Sequence, residues 1–291
     1  MKKSKWFIIL FMVAYMGVGA VFAQRYSNRR YPNQRGVPNW EPDKKFSHDV
    51  FTFVRIRYSS GYGYGGGMSR GRGGRSRGRF SRGFSGGNWA TDYPDSDLNF
   101  SYRLHQLTSM KVNPDGLVLE LTDPELFNYP FIYIVEPGRL IFSEEEVKIL
   151  RRYLLNGGFL MVDDFWGEAE WYNFYTEIKR VFPDREPVEL ALSHPIFHAV
   201  FDLKEKPQIP NIDLALRGRY YGITWEREDA RVTHYKAIYD DKGRIMAVIC
   251  HNTDLGDGWE REGEDEWYFH EFSEKKAYPL GINIVFYAMT H

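Results

Sequence analysis

Two adjacent aspartates, Asp163 and Asp164, follow the apolar run Phe159-Leu160-Met161-Val162 and precede Phe165 and Trp166. Adjacent carboxylates can split their titrations and act as acid and base, provided the chain turns so that both face one cleft. In extended backbone neighbours face opposite sides, so a structural reading competes: one caps the next helix and the other binds loop amides. Trp166 is either a stacking platform for a sugar ring or a lid over the sheet edge. Asn252, Asp254, Asp257 and Glu260 form a second oxygen-rich stretch, read as a loop after the run that ends at Cys250. Hard oxygen ligands at close spacing suit Ca²⁺ or Mg²⁺, although this spacing departs from the EF-hand pattern. Asp254, Asp257 and Glu260 are the metal candidates, and no other cofactor is indicated. His194 and His198 are four apart and on a helix would share a face as a metal pair. Pro195 fits a first helical position, which moves His194 out to the cap.

The elements that must position these groups alternate between strand and helix. Val50 to Tyr58 alternates as a first strand, and Phe100, Leu104 and Leu107 mark a helix over Asp97 to Thr108. Gly116 to Leu121 is a short strand and Phe131 to Val135 a buried one. Ser143-Glu144-Glu145-Glu146 is a capping box that opens a helix stopping at Gly157-Gly158. The strand Phe159 to Val162 and a helix from Glu168 to Val181 complete a βαβ rhythm. Uninterrupted apolar strands of this kind belong to parallel sheets, which bind ligands beyond their carboxyl ends. Asp163 and Asp164 are expected at such an edge. Arg231 to Tyr239 and Arg244 to Cys250 read as a hairpin, Ala277 to Met289 as a closing helix, and Lys204 to Arg219 as an irregular excursion.

The N-terminus has the form of a secretory signal: three lysines, an apolar stretch from Trp6, and Val21-Phe22-Ala23 as the cleavage region. Residues 1–23 are therefore expected to be a signal peptide, 24–45 a flexible leader, and 46–291 one domain. The expected location is periplasmic or extracellular, with no membrane span after cleavage; an uncleaved signal would instead act as an anchor. The run 59–87 holds six arginines among Gly, Ser, Tyr and Phe and no acid. Too few apolar side chains are present to offset ordering entropy, so the run reads as a disordered loop. Arginine interleaved with aromatics can bind single-stranded nucleic acid, but export favours an envelope protein or an anionic polymer over RNA. The net charge of −1 gives no general reason to expect nucleic acid. Cys250 is the only cysteine, which excludes an intramolecular disulfide, and its apolar setting marks a packing residue.

Several blocks together resemble the bacterial family called domain of unknown function 4159. They are Tyr129-Pro130-Phe131-Ile132-Tyr133, Leu150 to Asp164, His194-Pro195-Ile196-Phe197-His198 and Asn252 to Glu260. The resemblance implies a class I glutamine amidotransferase-like fold, a flavodoxin-like three-layer sandwich with a mostly parallel central sheet. Enzymes of that fold carry a cysteine at the sharp turn after a central strand. Here that turn holds Asp163 and Asp164, so glutaminase chemistry lacks its thiolate. Besides a reading in which the Arg/Gly-rich loop is the functional part and the domain its scaffold, two remain. One is a non-catalytic binding or assembly module of the cell envelope, using a strand-end cleft formed by Asp163, Asp164, Trp166, Asn252 and Asp254. The other is a metal-dependent hydrolase using Asp163, Asp164 and Asp254, with His194 or His198 as ligand or base.

Overall fold

Seven strands build one sheet in the computed structural model, which describes residues 37–38, 40–41, 49–60 and 88–291. They are β1 (Val54–Ile56), β2 (Leu117–Leu119), β3 (Phe131–Val135), β4 (Phe159–Asp163), β5 (Val188–Glu189), β6 (His234–Tyr239) and β7 (Ile245–His251). Their order is β2-β1-β3-β4-β7-β6-β5. The pairings β1–β2, β1–β3, β3–β4 and β4–β7 are parallel, while β6 runs antiparallel to both β5 and β7. The chain is thus α/β with a mostly parallel sheet, as the alternation of elements predicts. The signal reading, most of the leader and residues 61–87 of the Arg/Gly-rich run lie outside the described residues. The beginning of that run is not loop: Ser59–Ser60 pairs antiparallel with Leu140–Ile141.

Residues along the central strands alternate between two cores, because successive side chains of a strand leave opposite faces. Phe131, Tyr133, Val135, Phe159 and Met161 enter one core; Ile132, Ile134, Leu160 and Val162 enter the other. Helix α1 (Asp95–Leu107), through Phe100 and Leu104, and α6 (Tyr278–Thr290) close the first face. Helices α2 (Glu144–Leu155) and α3 (Gly167–Val181) close the second through Leu150, Leu154, Phe174 and Ile178. Each such side chain taken fully from water contributes about 1.5–3 kcal/mol, so β3, β4 and β7, buried along their whole length, are the rigid centre.

The ends of α2 follow local rules. Ser143 Oγ accepts from the Glu146 amide at 3.2 Å and Glu146 Oε2 accepts from the Ser143 amide at 2.7 Å, a complete capping box. At the other end Gly157 takes φ +104°, and a Cβ on Gly158 would lie 2.3 Å from the Tyr153 ring. The helix must stop there, and β4 begins at the next residue.

Two short helices serve the site. Helix α4 (Ile212–Gly218) lies within the stretch expected to be irregular. Helix α5 (Leu255–Glu260) replaces the loop expected after β7, with Asp254 as its N-cap.

Candidate metal centre

Asp163 is the last residue of β4 and is completely buried. Its Oδ2 accepts from the Leu255 amide at 2.9 Å, the Gly256 amide at 3.1 Å and the Tyr133 hydroxyl at 3.1 Å. It therefore binds the first amides of α5, across the sheet, rather than those of α3. Burial pushes this carboxyl up to about 7, against the opposing pull of the bonds it accepts. The start of α3 is held from elsewhere: Gly167 N donates to Asn252 Oδ1 at 2.8 Å and Glu168 N to Asp229 Oδ2 at 3.1 Å. Asn252 also donates from Nδ2 to the Val232 carbonyl at 2.8 Å. Its amide is thereby committed to joining loops.

The strands around Asp163 end in the same way. Glu136 after β3, Asp164 after β4 and Asn252 after β7 have φ of 46°, 58° and 62°. Asp92, ahead of α1, has φ 61°. Non-glycine residues in this region each cost about 1–3 kcal/mol and collect where a precise turn is needed for function. After Asp164 the chain reverses, with the Asn252 amide donating to the Phe165 carbonyl at 2.9 Å. This turn carries Asp164 away from the direction of Asp163. Its Oδ1 accepts from the Trp166 indole at 3.2 Å. Trp166 is 3% exposed and offers a ligand almost no open face.

One carboxylate oxygen from each of Asp92, Asp164 and Asp254 lies within 4.8 Å of the others. Oxygens that share a Ca²⁺ at 2.3–2.6 Å are separated by at most about 5 Å, so the spacing fits one hard cation. Asp164 and Asp254 are buried, and the buried Oδ2 of Asp92 has no hydrogen-bond partner. Asp254 Oδ1 accepts from the Asp257 amide at 2.6 Å, which fixes it at the head of α5. Burial, then Glu136 and Asp92, push Asp164 well above the usual carboxylate range; burial, then Asp164 and Asp92, do the same to Asp254. Asp92 is raised by burial and then by Asp257 and Glu260. Such a group of acids is stable only if protons or a cation reduce its charge.

Asp92, Asp257 and Glu260 form a second group with oxygens within 4.8 Å. Here a counter-charge is already present: Arg261 Nε lies 3.1 Å from Asp257 Oδ1 and 2.9 Å from Glu260 Oε2. The first group has no such arginine among the described residues.

Arg55, buried in β1, places Asp92. Its Nε and Nη2 donate to the Asp97 carboxylate, Nη2 also to Ser96 Oγ at 2.9 Å, and Nη1 to the carbonyls of Trp89 and Thr91 at 3.0 and 2.9 Å. One guanidinium thus ties down both sides of Asp92. Neither residue stands out in the sequence as a site residue. The available signal was a charge at Arg55 inside the apolar strand pattern Phe53 to Ile56; Asp92 had none.

The histidines take no part. Pro195–Phe197 is a single 3₁₀ turn, too short to give two imidazoles a shared face. His194 Nδ1 caps it by accepting from the Ile196 amide at 3.2 Å. His198 contacts Asp202 Oδ1 and the Leu192 carbonyl, both at 2.7 Å. Of the residues singled out in the sequence, Asp164 and Asp254 meet in the triad and Asp163 supports it from below. Asp257 and Glu260 belong to the neighbouring group with Arg261.

The family DUF4159, a domain of unknown function, matches residues 79–289, and no curated protein matches the chain. The matched stretch includes Asp92, Asp164 and Asp254 but begins after β1, so Arg55 lies outside it.

Proposed function

The chain belongs to the DUF4159 family, and from that premise we propose that it is an exported, cation-organised binding or assembly module of the cell envelope. One hard divalent cation, Ca²⁺ or Mg²⁺, is held by Asp92, Asp164 and Asp254. The observation that carries this reading is the convergence of three carboxylates, none ion-paired to a base among the described residues, with the nearby Arg55 already paired to Asp97. The cation joins the segment before α1, the turn after β4 and the head of α5. It thereby fixes the strand-end surface that a partner meets. Near-complete burial of Asp164 and Asp254 favours a binding role, since catalytic metals keep an open position. Metal analysis of protein purified without chelator tests the reading: one equivalent of a divalent ion per chain supports it, and none after incubation with millimolar Ca²⁺ and Mg²⁺ contradicts it.

The architecture we propose is class I glutamine amidotransferase-like. Parallel strands in the order β2-β1-β3-β4 are those of a doubly wound sheet of the flavodoxin type. The left-handed Asp164 occupies the sharp turn where amidotransferases of this fold carry cysteine. Cys250 is buried in β7 and its thiol is pushed up by burial, so no thiolate is available for glutaminase chemistry.

A second reading, a metal-dependent hydrolase, is favoured by one observation: Asp163 is buried next to Asp164 and hydrogen-bonded to the head of α5 that carries Asp254, with burial pushing its carboxyl up to about 7, the range in which a group takes and returns a proton. Turnover of an ester or amide by the cation-loaded protein, lost in Asp163→Asn with cation binding retained, would select it over the binding module.

A further inference from the structure

Away from the carboxylates, the turn after α4 faces a nine-residue π-helical stretch, Phe269–Ala277, across a cavity of about 190 Å³. π-Helical geometry is rare and is frequent at functional sites. The wider turn brings Lys276 beside both Phe272 and Glu271: Lys276 Nζ lies 5.2 Å from the Phe272 ring centre and 3.8 Å from Glu271 Oε1. The opposite wall is closed by a chain reversal at Gly218, where a Cβ would lie 2.8 Å from the Ile223 carbonyl oxygen. That reversal projects Arg219 over Trp267, with the guanidinium carbon 4.6 Å from the ring centre.

The charges in this cavity do not balance. Lys276 is shared between Glu205 at 3.5 Å and Glu271, and Glu271 also receives Lys275 at 3.0 Å. Arg219 lies over the indole, and no carboxylate pairs with it among the described residues. A guanidinium held over an aromatic ring without a carboxylate partner has donors left for the fork that matches a carboxylate. Trp267 and Phe272 meet edge to face at 5.6 Å and give the remaining wall an apolar character. A cavity of about 150 Å³ is enough for benzene. Two exposed tyrosines, Tyr220 (87%) and Tyr221 (80%), follow Arg219 in the same turn.

We infer that this cavity between α4 and the π-helical stretch binds a small ring-bearing monocarboxylate, with Arg219 gripping the carboxylate and Trp267 and Phe272 enclosing the ring. The ring is that of an acidic sugar or of an aromatic acid, two sources that share this chemistry. The site is separate from the proposed cation and does not require it.

The test is ligand-observed saturation-transfer NMR on the full chain in the presence of EDTA. Glucuronate and benzoate are the two probes, with glucose and benzyl alcohol as uncharged controls. Saturable binding of at least one carboxylate is expected, about tenfold or more tighter than that of its neutral control and lost in Arg219→Gln, because the control and the variant each lack the charge-assisted pair. Glucuronate alone identifies the acidic-sugar source, and benzoate alone the aromatic one. Trp267→Ala should weaken binding as well, with an unchanged circular dichroism spectrum and melting temperature in the exposed Arg219→Gln variant. No saturable binding of either probe, or binding indifferent to Arg219→Gln, overturns the inference. Because EDTA removes any divalent ion, that failure is distinct from failure of the cation site.

Discussion

Asp92 occupies the space that a side chain at residue 256 would need: a Cβ built on Gly256 would lie 2.4 Å from Asp92 Oδ2. The same Cβ would be 3.3 Å from the Tyr133 hydroxyl. Glycine at the head of α5 therefore lets the acid ahead of α1, which packs on the same face of the sheet, reach Asp254 and Asp164. Gly256→Ala should displace Asp92, lower stability by about 1–3 kcal/mol through overpacking, and weaken cation binding. Chemical denaturation with and without Ca²⁺ measures both. An alanine variant with unchanged cation affinity would remove Asp92 from the ligand set.

Neutralising one acid of the triad should have opposite effects without and with cation. Asp164→Asn removes a buried like-charge repulsion, so the chelated variant should melt above chelated wild type. Cation at about 100 times its Kd should stabilise wild type by about 2.7 kcal/mol, roughly 5–10 °C in Tm for a domain of this size, and the variant hardly at all. Differential scanning fluorimetry reads both; an Asn variant that keeps the full cation-induced rise contradicts the assignment.

Much of this arrangement was legible only where local rules operate. The strand ending at Val162–Asp163 is bounded by a capping box on one side of its preceding helix and two glycines on the other, all within one continuous stretch. Asp254 was legible as an acid but not as a helix cap, because α5 contains Gly256 and Gly258, residues that disfavour helix. Their presence follows from contacts made elsewhere: a Cβ on Gly258 would lie 2.5 Å from the Ala277 Cβ. Asp92 enters from beyond a long insertion, and no spacing rule connects it to Asp164. His194 and His198 have the spacing of a helical metal pair, but Pro195 starts a turn that ends after three residues.

Arg55 and Asp97 are both buried, with Nη2 and Oδ1 2.5 Å apart. Breaking such a pair by removing one partner leaves an uncompensated charge and costs about 3–5 kcal/mol. Arg55→Met should fall in that range, and Arg55→Met with Asp97→Leu should recover a large part of it. Arg55→Lys keeps the charge but loses the five-donor fork, so the Trp89–Thr91 carbonyls and Asp92 should loosen. Urea denaturation of the three variants gives the comparison; equal losses in the single methionine and double variants would contradict the pair's role.

His251 supplies a pH signature independent of the carboxylates. It is 3% exposed, its Nε2 lies 3.1 Å from the Gly167 carbonyl oxygen, and burial pulls its imidazole down to about 4. A histidine kept neutral in the folded state gives stability that is present above its ordinary value of 6.5 and lost as pH falls toward 4. The loss should amount to about 3 kcal/mol across that window. His251→Gln can still donate to the carbonyl and does not titrate. The stability difference between wild type and this variant should therefore move against wild type from pH 6.5 to 4; a difference constant with pH contradicts the buried neutral imidazole.

The most direct test of the cation-organised strand end is isothermal titration of chelator-stripped protein with Ca²⁺ and, separately, Mg²⁺ at pH 7. Coordination requires deprotonated carboxylates, so binding should release protons and its heat should vary with the ionisation enthalpy of the buffer. One site per chain with proton release, absent in Asp92→Asn and Asp164→Asn, is the predicted result. No binding of either ion up to millimolar concentration, or binding that both variants retain, would contradict the account.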